Sequence, residues 1–218
     1  MKVISSKFAL HTAILAIAFF AAGGADAANR AAFSRGNPQA KIEYCKDCHG
    51  LSGQGYRGYF TMPRLAGQQS EYLENQLRAF AERTRDRDFF LNMPRVHGVS
   101  PEMRTALAAH FRTLDPAPIG GGPRNLVGTG KKIFEEGVPE GNIPACSACH
   151  GPDAKGQNAI PRLAGQLYSY TVRQLADWNK ERGQAASKSD TTAVMTPISH
   201  NLTPSQIDAI AAYLSYLK

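Results

Sequence analysis

Apolar residues recur at helical spacing in three stretches of the chain. Leu73, Leu77 and Phe80 lie at i, i+4 and i+7, as do Leu107, Phe111 and Leu114, and again Ile210, Leu214 and Leu217. This spacing lays an apolar stripe along one face of a helix. Ser100-Pro101 and Thr203-Pro204 stand before the second and third stretches. Each pairs an N-cap hydroxyl with a proline whose fixed φ suits the first helical turn. Strand-like alternation is weak throughout, so the expected fold class is all-α, with long loops between helices. A different pattern opens the chain: Lys2 and Lys7 precede the uncharged run Ala13 to Ala22, and Ala25-Asp26-Ala27 follows it. A basic start, a short apolar centre and a small-x-small site describe an export signal. The run falls short of the roughly 20 residues that span a bilayer. Residues 1–27 are therefore expected to be removed, leaving a mature chain outside the cytoplasm with no transmembrane anchor.

The chain also repeats itself. Pro63-Arg64-Leu65-Ala66-Gly67-Gln68 returns as Pro161-Arg162-Leu163-Ala164-Gly165-Gln166, an offset of 98 residues. Tyr72, Gln76, Leu77 and Phe80 correspond at the same offset to Tyr170, Gln174, Leu175 and Trp178. The strings Cys45-Lys46-Asp47-Cys48-His49 and Cys146-Ser147-Ala148-Cys149-His150 are 101 apart, so the first copy carries three extra residues between Cys48 and Pro63. A period near 100 residues is too long for a solenoid and fits a duplicated small domain. Asp115 to Pro123, rich in Pro and Gly, reads as the linker. The expected order is a signal over 1–27, a first domain over 28–114, a linker over 115–123 and a second domain over 124–218.

The chain has 218 residues, 43% hydrophobic and 20% charged, with a formal charge of +7, which fits an ordinary globular protein. The charge is uneven: residues 28–114 carry 13 basic and 8 acidic side chains, and residues 115–218 carry 10 and 9. Electrostatic steering would act mainly through the first half. Arg83-Thr84-Arg85-Asp86-Arg87-Asp88 mixes signs and reads as a solvated loop, and nothing resembles a nucleic-acid module. On charge alone, Arg85 and Arg87 are docking candidates for an anionic partner, more so than Lys131 and Lys132.

All four cysteines fall in the two C-x-x-C-H strings. That string is the attachment signature of c-type haem: two thiols one helical turn apart bond the macrocycle, and the adjacent His is placed as an axial ligand. Two copies in register imply two covalently bound haem c groups, held by Cys45 and Cys48 and by Cys146 and Cys149, with His49 and His150 on the irons. Zinc binding or a redox pair within each C-x-x-C are the competing chemistries, and the paired His with no spare Cys argue against both. For the remaining axial position, Met93 lies 44 residues after His49 and Met195 lies 45 after His150, each expected on a loop before a capped helix. Met62 has Ile160 as its repeat partner, and Met103 has Gln206. His97 and His200 are also paired in the repeat and remain rival ligands.

Taken together, the C-x-x-C-H strings, the Pro-Arg-Leu-Ala-Gly-Gln strings, the Tyr-x-x-x-Gln-Leu segments and the Met before Leu-Thr-Pro or its counterpart resemble cytochrome c4. The resemblance covers nearly all of the mature chain. It implies two tandem cytochrome c-like domains related by pseudo-twofold symmetry, His and Met axial ligands, and a periplasmic electron carrier. It also implies that the Pro63 carbonyl accepts a hydrogen bond from His49, and that of Pro161 one from His150, which orients a metal-bound imidazole and raises its basicity. Arg64, Arg162, Tyr72 and Tyr170 recur in both halves and are candidates for haem propionate contacts, with solvated surface the alternative for the two Arg. The first half departs from the pattern: Tyr56 to Met62 is bulkier and longer than its counterpart.

With both axial positions filled, no open site is left for a substrate. The leading expectation is an electron-transfer protein, not an enzyme, passing electrons between respiratory redox partners and towards a membrane oxidase or reductase. The competing reading is a two-haem cytochrome subunit of a periplasmic dehydrogenase, such as a flavocytochrome sulfide dehydrogenase, which an exposed apolar face would favour. A two-haem thiosulfate dehydrogenase or peroxidase is the third. It would need an open or unusual ligand, and no spare Cys exists.

Overall fold

A computed structural model describes residues 36–82, 84–85, 99–182 and 192–218. The expected signal segment, Met93, His97 and Arg87 lie outside the described residues. The chain separates after Lys41 into two units. Of the first, residues 36–41 are described, and Asn37 Oδ1 accepts the Gln39 amide there at 2.9 Å, the local bond that starts helices. The second unit holds everything from Ile42 onward, including both copies of the repeat.

In chain order the elements are α1 (Pro38–His49), β1 (Tyr56–Arg57), β2 (Thr61–Met62), α2 (Ser70–Ala81), α3 (Pro101–Arg112), α4 (Val127–Glu136), α5 (Ser147–His150), α6 (Tyr168–Ala176), α7 (Trp178–Glu181), α8 (Thr192–Asn201) and α9 (Pro204–Tyr216). The proline-led starts behave as expected. The Ser100 hydroxyl accepts the Met103 amide at 3.2 Å, and Thr203 forms a full capping box with Gln206. In the first half, α2 packs on α3 through Leu73, Leu107 and Phe111. In the second, α9 packs on α4 and α6 through Phe134, Ile210 and Leu214.

The two copies share backbone connections as well as sequence. The Gly55 amide bonds the His49 carbonyl and that of Gly156 bonds His150, both at 2.8 Å. Leu65 and Ala66 donate to Gly53 O, and Leu163 and Ala164 donate to Ala154 O. Gly53 and Ala154 both have positive φ, +68° and +55°. A Cβ on Gly53 would stand 3.1 Å from the Phe111 ring. In the second half Leu214 takes the place of Phe111, and Ala154 is accommodated at a left-handed position that normally favours glycine. The three extra residues of the first copy are also located. Tyr56 pairs with Met62 across a five-residue loop, where Gln157 pairs with Ile160 across two residues.

Candidate haem-attachment sites

Helical geometry builds each attachment site from four or five consecutive residues. Cys45, Cys48 and His49 end α1, and Cys149 and His150 end the single turn of α5, whose N-cap is Cys146. Residues three apart share a helix face, so each thiol pair points the same way. None of the four cysteines forms a disulfide; Cys48 and Cys149 are exposed and Cys45 and Cys146 half-buried. Burial pushes the Cys146 thiol up to about 11, which keeps it protonated at neutral pH.

Both histidines are buried, and each is tethered at the back. His49 Nδ1 donates to the Pro63 carbonyl at 2.8 Å, and His150 Nδ1 donates to the Pro161 carbonyl at 2.9 Å. Desolvation lowers both imidazoles below their ordinary range, the proline bonds opposing it, so each ring is held neutral. A neutral imidazole with Nδ1–H engaged presents Nε2 as its basic atom, the state a metal ligand needs. Two thiols beside such a ring form a donor set that fits covalent haem.

Met195, expected on a loop, is instead half-buried on α8. Pro197 lies within that helix and lacks the amide that would close the turn back to Ala193, so α8 is weakened beside Met195. His200 is on the same helix and exposed. Met62 sits on β2, paired with Tyr56.

Solvated surface, the alternative to propionate contact for Arg64 and Arg162, does not hold: both are buried, at 4% and 6% exposure, where the two halves meet. Each Nε donates to a carbonyl of its own half, Ala66 or Ala164, at 3.0 Å. Arg64 also reaches Pro116 O at 2.8 Å, and both guanidinium groups stand 3.7 Å from the Asp115 carboxylate. Burial first, and then the facing charge of Arg162, lower Arg64 to about 10. Arg64 Nη1 is buried without a hydrogen-bond partner among the described residues.

Between these arginines runs a reciprocal lock that the sequence did not reveal. Gln166 Oε1 accepts the Arg64 amide at 2.9 Å and Gln166 Nε2 donates to Arg64 O at 3.1 Å. Gln68 does the same to Arg162, at 2.7 and 3.0 Å. Such two-way exchange is what a pseudo-twofold axis produces.

Tyr72 and Tyr170 belong to a second cross-half cluster. Arg85 donates to Gln76, Tyr170 and Gln174, and Arg182 donates to Gln174, Tyr72 and Tyr170. Burial alone would raise the Tyr72 phenol, but Arg182 and Arg85 outweigh it and draw it below its ordinary value. The reading of Arg85 as a solvated docking residue is therefore corrected: its guanidinium ties α2 to α6.

Two tandem helical units, each with a C-x-x-C-H turn and a carbonyl-tethered histidine, define a two-haem c-type cytochrome. The cytochrome c family matches residues 34–115 and again 127–218. Cytochrome c-552 of Acidithiobacillus ferridurans is 34% identical over 98% of this chain and 88% of its own. A thiosulfate dehydrogenase electron acceptor of Thiomonas intermedia is 33% identical over 78% and 77%. A solved cytochrome c4 of Acidithiobacillus ferrooxidans superposes with TM-score 0.69 at 35% identity, over 79% of this chain and 98% of that one. The chain belongs to the cytochrome c family, and its two-domain arrangement is that of cytochrome c4. It is an electron-transfer protein, not an enzyme, with two covalent haem c groups as cofactors and redox proteins as partners. No helix among the described residues is long and apolar enough to cross a membrane.

Proposed function

We propose that residues 1–27 direct export and are removed, and that the mature chain carries electrons in the periplasm. Its first domain is residues 28–114, its linker 115–123 and its second domain 124–218. Cys45 and Cys48 attach one haem and Cys146 and Cys149 the other; His49 and Met93 ligate the first iron, His150 and Met195 the second. Haem iron bound there would supply one-electron, ferric-to-ferrous chemistry. The protein holds each imidazole neutral and oriented, anchors the macrocycle through its thiols, and joins the two sites through the Gln68 and Gln166 lock. The observation that carries this reading is the paired tether of His49 to Pro63 and His150 to Pro161. A thioether ligand stabilises ferrous iron and favours the higher potentials of respiratory carriers. Met93→Ala and Met195→Ala are each expected to open one iron and lower that haem's potential, with loss of half the thioether-to-iron absorption in the red. Met62→Ala is expected to leave that band intact. A band at full strength in both single variants assigns the position to another methionine, and a band missing from the unmodified protein assigns it to His97 and His200.

The electron source and sink follow from the relatives and the surface. Relatives described as thiosulfate dehydrogenase electron acceptors favour a periplasmic dehydrogenase as donor, and the proposed sink is a membrane terminal oxidase. Five of the six large apolar side chains most exposed among the described residues lie between Tyr44 and Phe60. They flank the first C-x-x-C-H turn, in the half that carries the positive charge. An apolar centre within a basic half suits an anionic redox partner with an apolar contact. Tyr59, 97% exposed, and Phe60 are the test positions. Tyr59→Ser with Phe60→Ser is expected to slow electron delivery to oxidase-containing membranes about tenfold, while both potentials stay unchanged. The unmodified rate is expected to fall as salt rises. Rates indifferent to both changes would move docking elsewhere, and co-purification as a fixed complex with a dehydrogenase would establish the subunit reading.

A further inference from the structure

We infer that each half tunes the proximal histidine of the other half's haem, through a single peptide group that stands between them. The peptide joining Pro63 and Arg64 is engaged at both ends. Its oxygen accepts His49 Nδ1–H at 2.8 Å, and its N–H donates to Gln166 Oε1, from the second half, at 2.9 Å. The peptide joining Pro161 and Arg162 repeats this with His150 at 2.9 Å and Gln68, from the first half, at 2.7 Å.

Amide resonance couples the two ends of a peptide. Donation from its N–H pushes electron density onto its oxygen, and hydrogen bonds in such a chain strengthen one another, by about 10–30% per bond in condensed phase. Gln166 therefore makes Pro63 O a stronger acceptor and the His49 ring more basic at Nε2. Gln68 acts likewise on His150. A more basic proximal ligand favours ferric iron, so each glutamine lowers the potential of the haem in the opposite half.

Both glutamines are buried, at 5% and 8% exposure, and held in place. Oε1 of Gln68 also accepts the amide of Gln69, and that of Gln166 the amide of Leu167, at 2.9 and 3.0 Å. Their Nε2 groups bond the carbonyls of Arg162 and Arg64, which fixes which end of each side-chain amide faces the peptide. Gln68 and Gln166 are thus positioning residues, and altering the contact between the halves would change both histidines without touching either haem pocket. The inference rests on His49 and His150 being the proximal ligands.

The test uses the haem-loaded protein with Gln166→Met and Gln68→Met, which keep length and volume but remove both bonds. Gln166→Met is expected to raise the first haem's potential above its unmodified value, with the second haem moving less. The His49 Nδ1–H proton resonance moves upfield and that of His150 stays. Gln68→Met is expected to give the mirror result. Gln166→Glu, which keeps the acceptor, is expected to return the His49 resonance towards its unmodified position. Equal shifts at both haems, or a shift confined to the haem of the mutated half, would overturn the coupling and leave the glutamines as interface packing. In the unmodified protein, the Arg64 and Arg162 amides are expected to exchange with solvent at least about a hundredfold more slowly than free peptide. Fast exchange there overturns the inference even if no variant folds. Failure of the ligand reading would show separately, as an unchanged low-spin spectrum when His49 is replaced by Gly.

Discussion

Replacing Cys146 and Cys149 together by Ala is expected to give a chain whose mass exceeds the polypeptide by one haem instead of two, and whose second half melts well below the first. Cys146 packs against the second-half core, and Ala154 and Ala164, from the loops around the attachment turn, are almost fully buried within it. Attachment at Cys146 and Cys149 therefore ties a loop-rich segment to α4 and α9. A domain near 90 residues buries little apolar area for its length, and such domains commonly depend on a staple. By comparison with removal of a covalent cross-link from a small domain, the loss is about 2–5 kcal/mol. Intact-mass spectrometry and thermal unfolding followed by absorbance measure both effects. The first haem should remain, because Cys45, Cys48, His49 and the Pro63 tether are untouched. A loosened second half also releases Gln166 from Arg64, so the first haem's potential should rise along with the loss of the second haem. Retention of two haems would sink the attachment assignment.

Much of the fold was legible because local rules decide it. Ser100-Pro101 and Thr203-Pro204 start helices through bonds to residues three positions on, and C-x-x-C-H places its side chains within one turn. The offset of 98 against 101 marked where three residues had been added, and the structure puts them in the β1–β2 loop. The seam was not legible, because hydrogen bonds between residues 94 to 102 positions apart leave no local trace. Gln68 and Gln166 could be seen to repeat, but only the folded chain shows each one grasping the other half's arginine backbone. Arg85 reads as one charge in a mixed polar run, and its cross-half bonds to Tyr170 and Gln174 depend on α2 meeting α6. Met195 was expected on a loop because it stands just before the helix capped at Thr203-Pro204; α8 fills that stretch and persists through Pro197, as helices do when neighbouring contacts outweigh one lost bond.

Gly130→Ala is expected to destabilise the second half by about 3 kcal/mol or more, although the same change in an open helix would stabilise it. Gly130 lies on α4 where that helix crosses α9, and a Cβ there would stand 1.9 Å from the Ala209 carbonyl oxygen and 2.8 Å from Tyr213 Cβ. Neither neighbour can move cheaply: one is helix backbone, and the Tyr213 ring is packed 5.5 Å from that of Phe134, which is fully buried. Replacing Gly by Ala inside a helix gains about 1 kcal/mol from backbone entropy. Separating two packed helices by more than an ångström costs about 1–3 kcal/mol for a modest overpacking and more when backbone is the obstacle. The steric effect therefore wins. Gly128, two residues earlier on α4, has nothing within 4 Å of the same added atom. Gly128→Ala should leave stability unchanged or raise it by up to about 1 kcal/mol. Thermal unfolding of the two variants side by side measures the difference. If both shift the midpoint the same way, helix propensity governs this position and the α4–α9 crossing yields to the added methyl group.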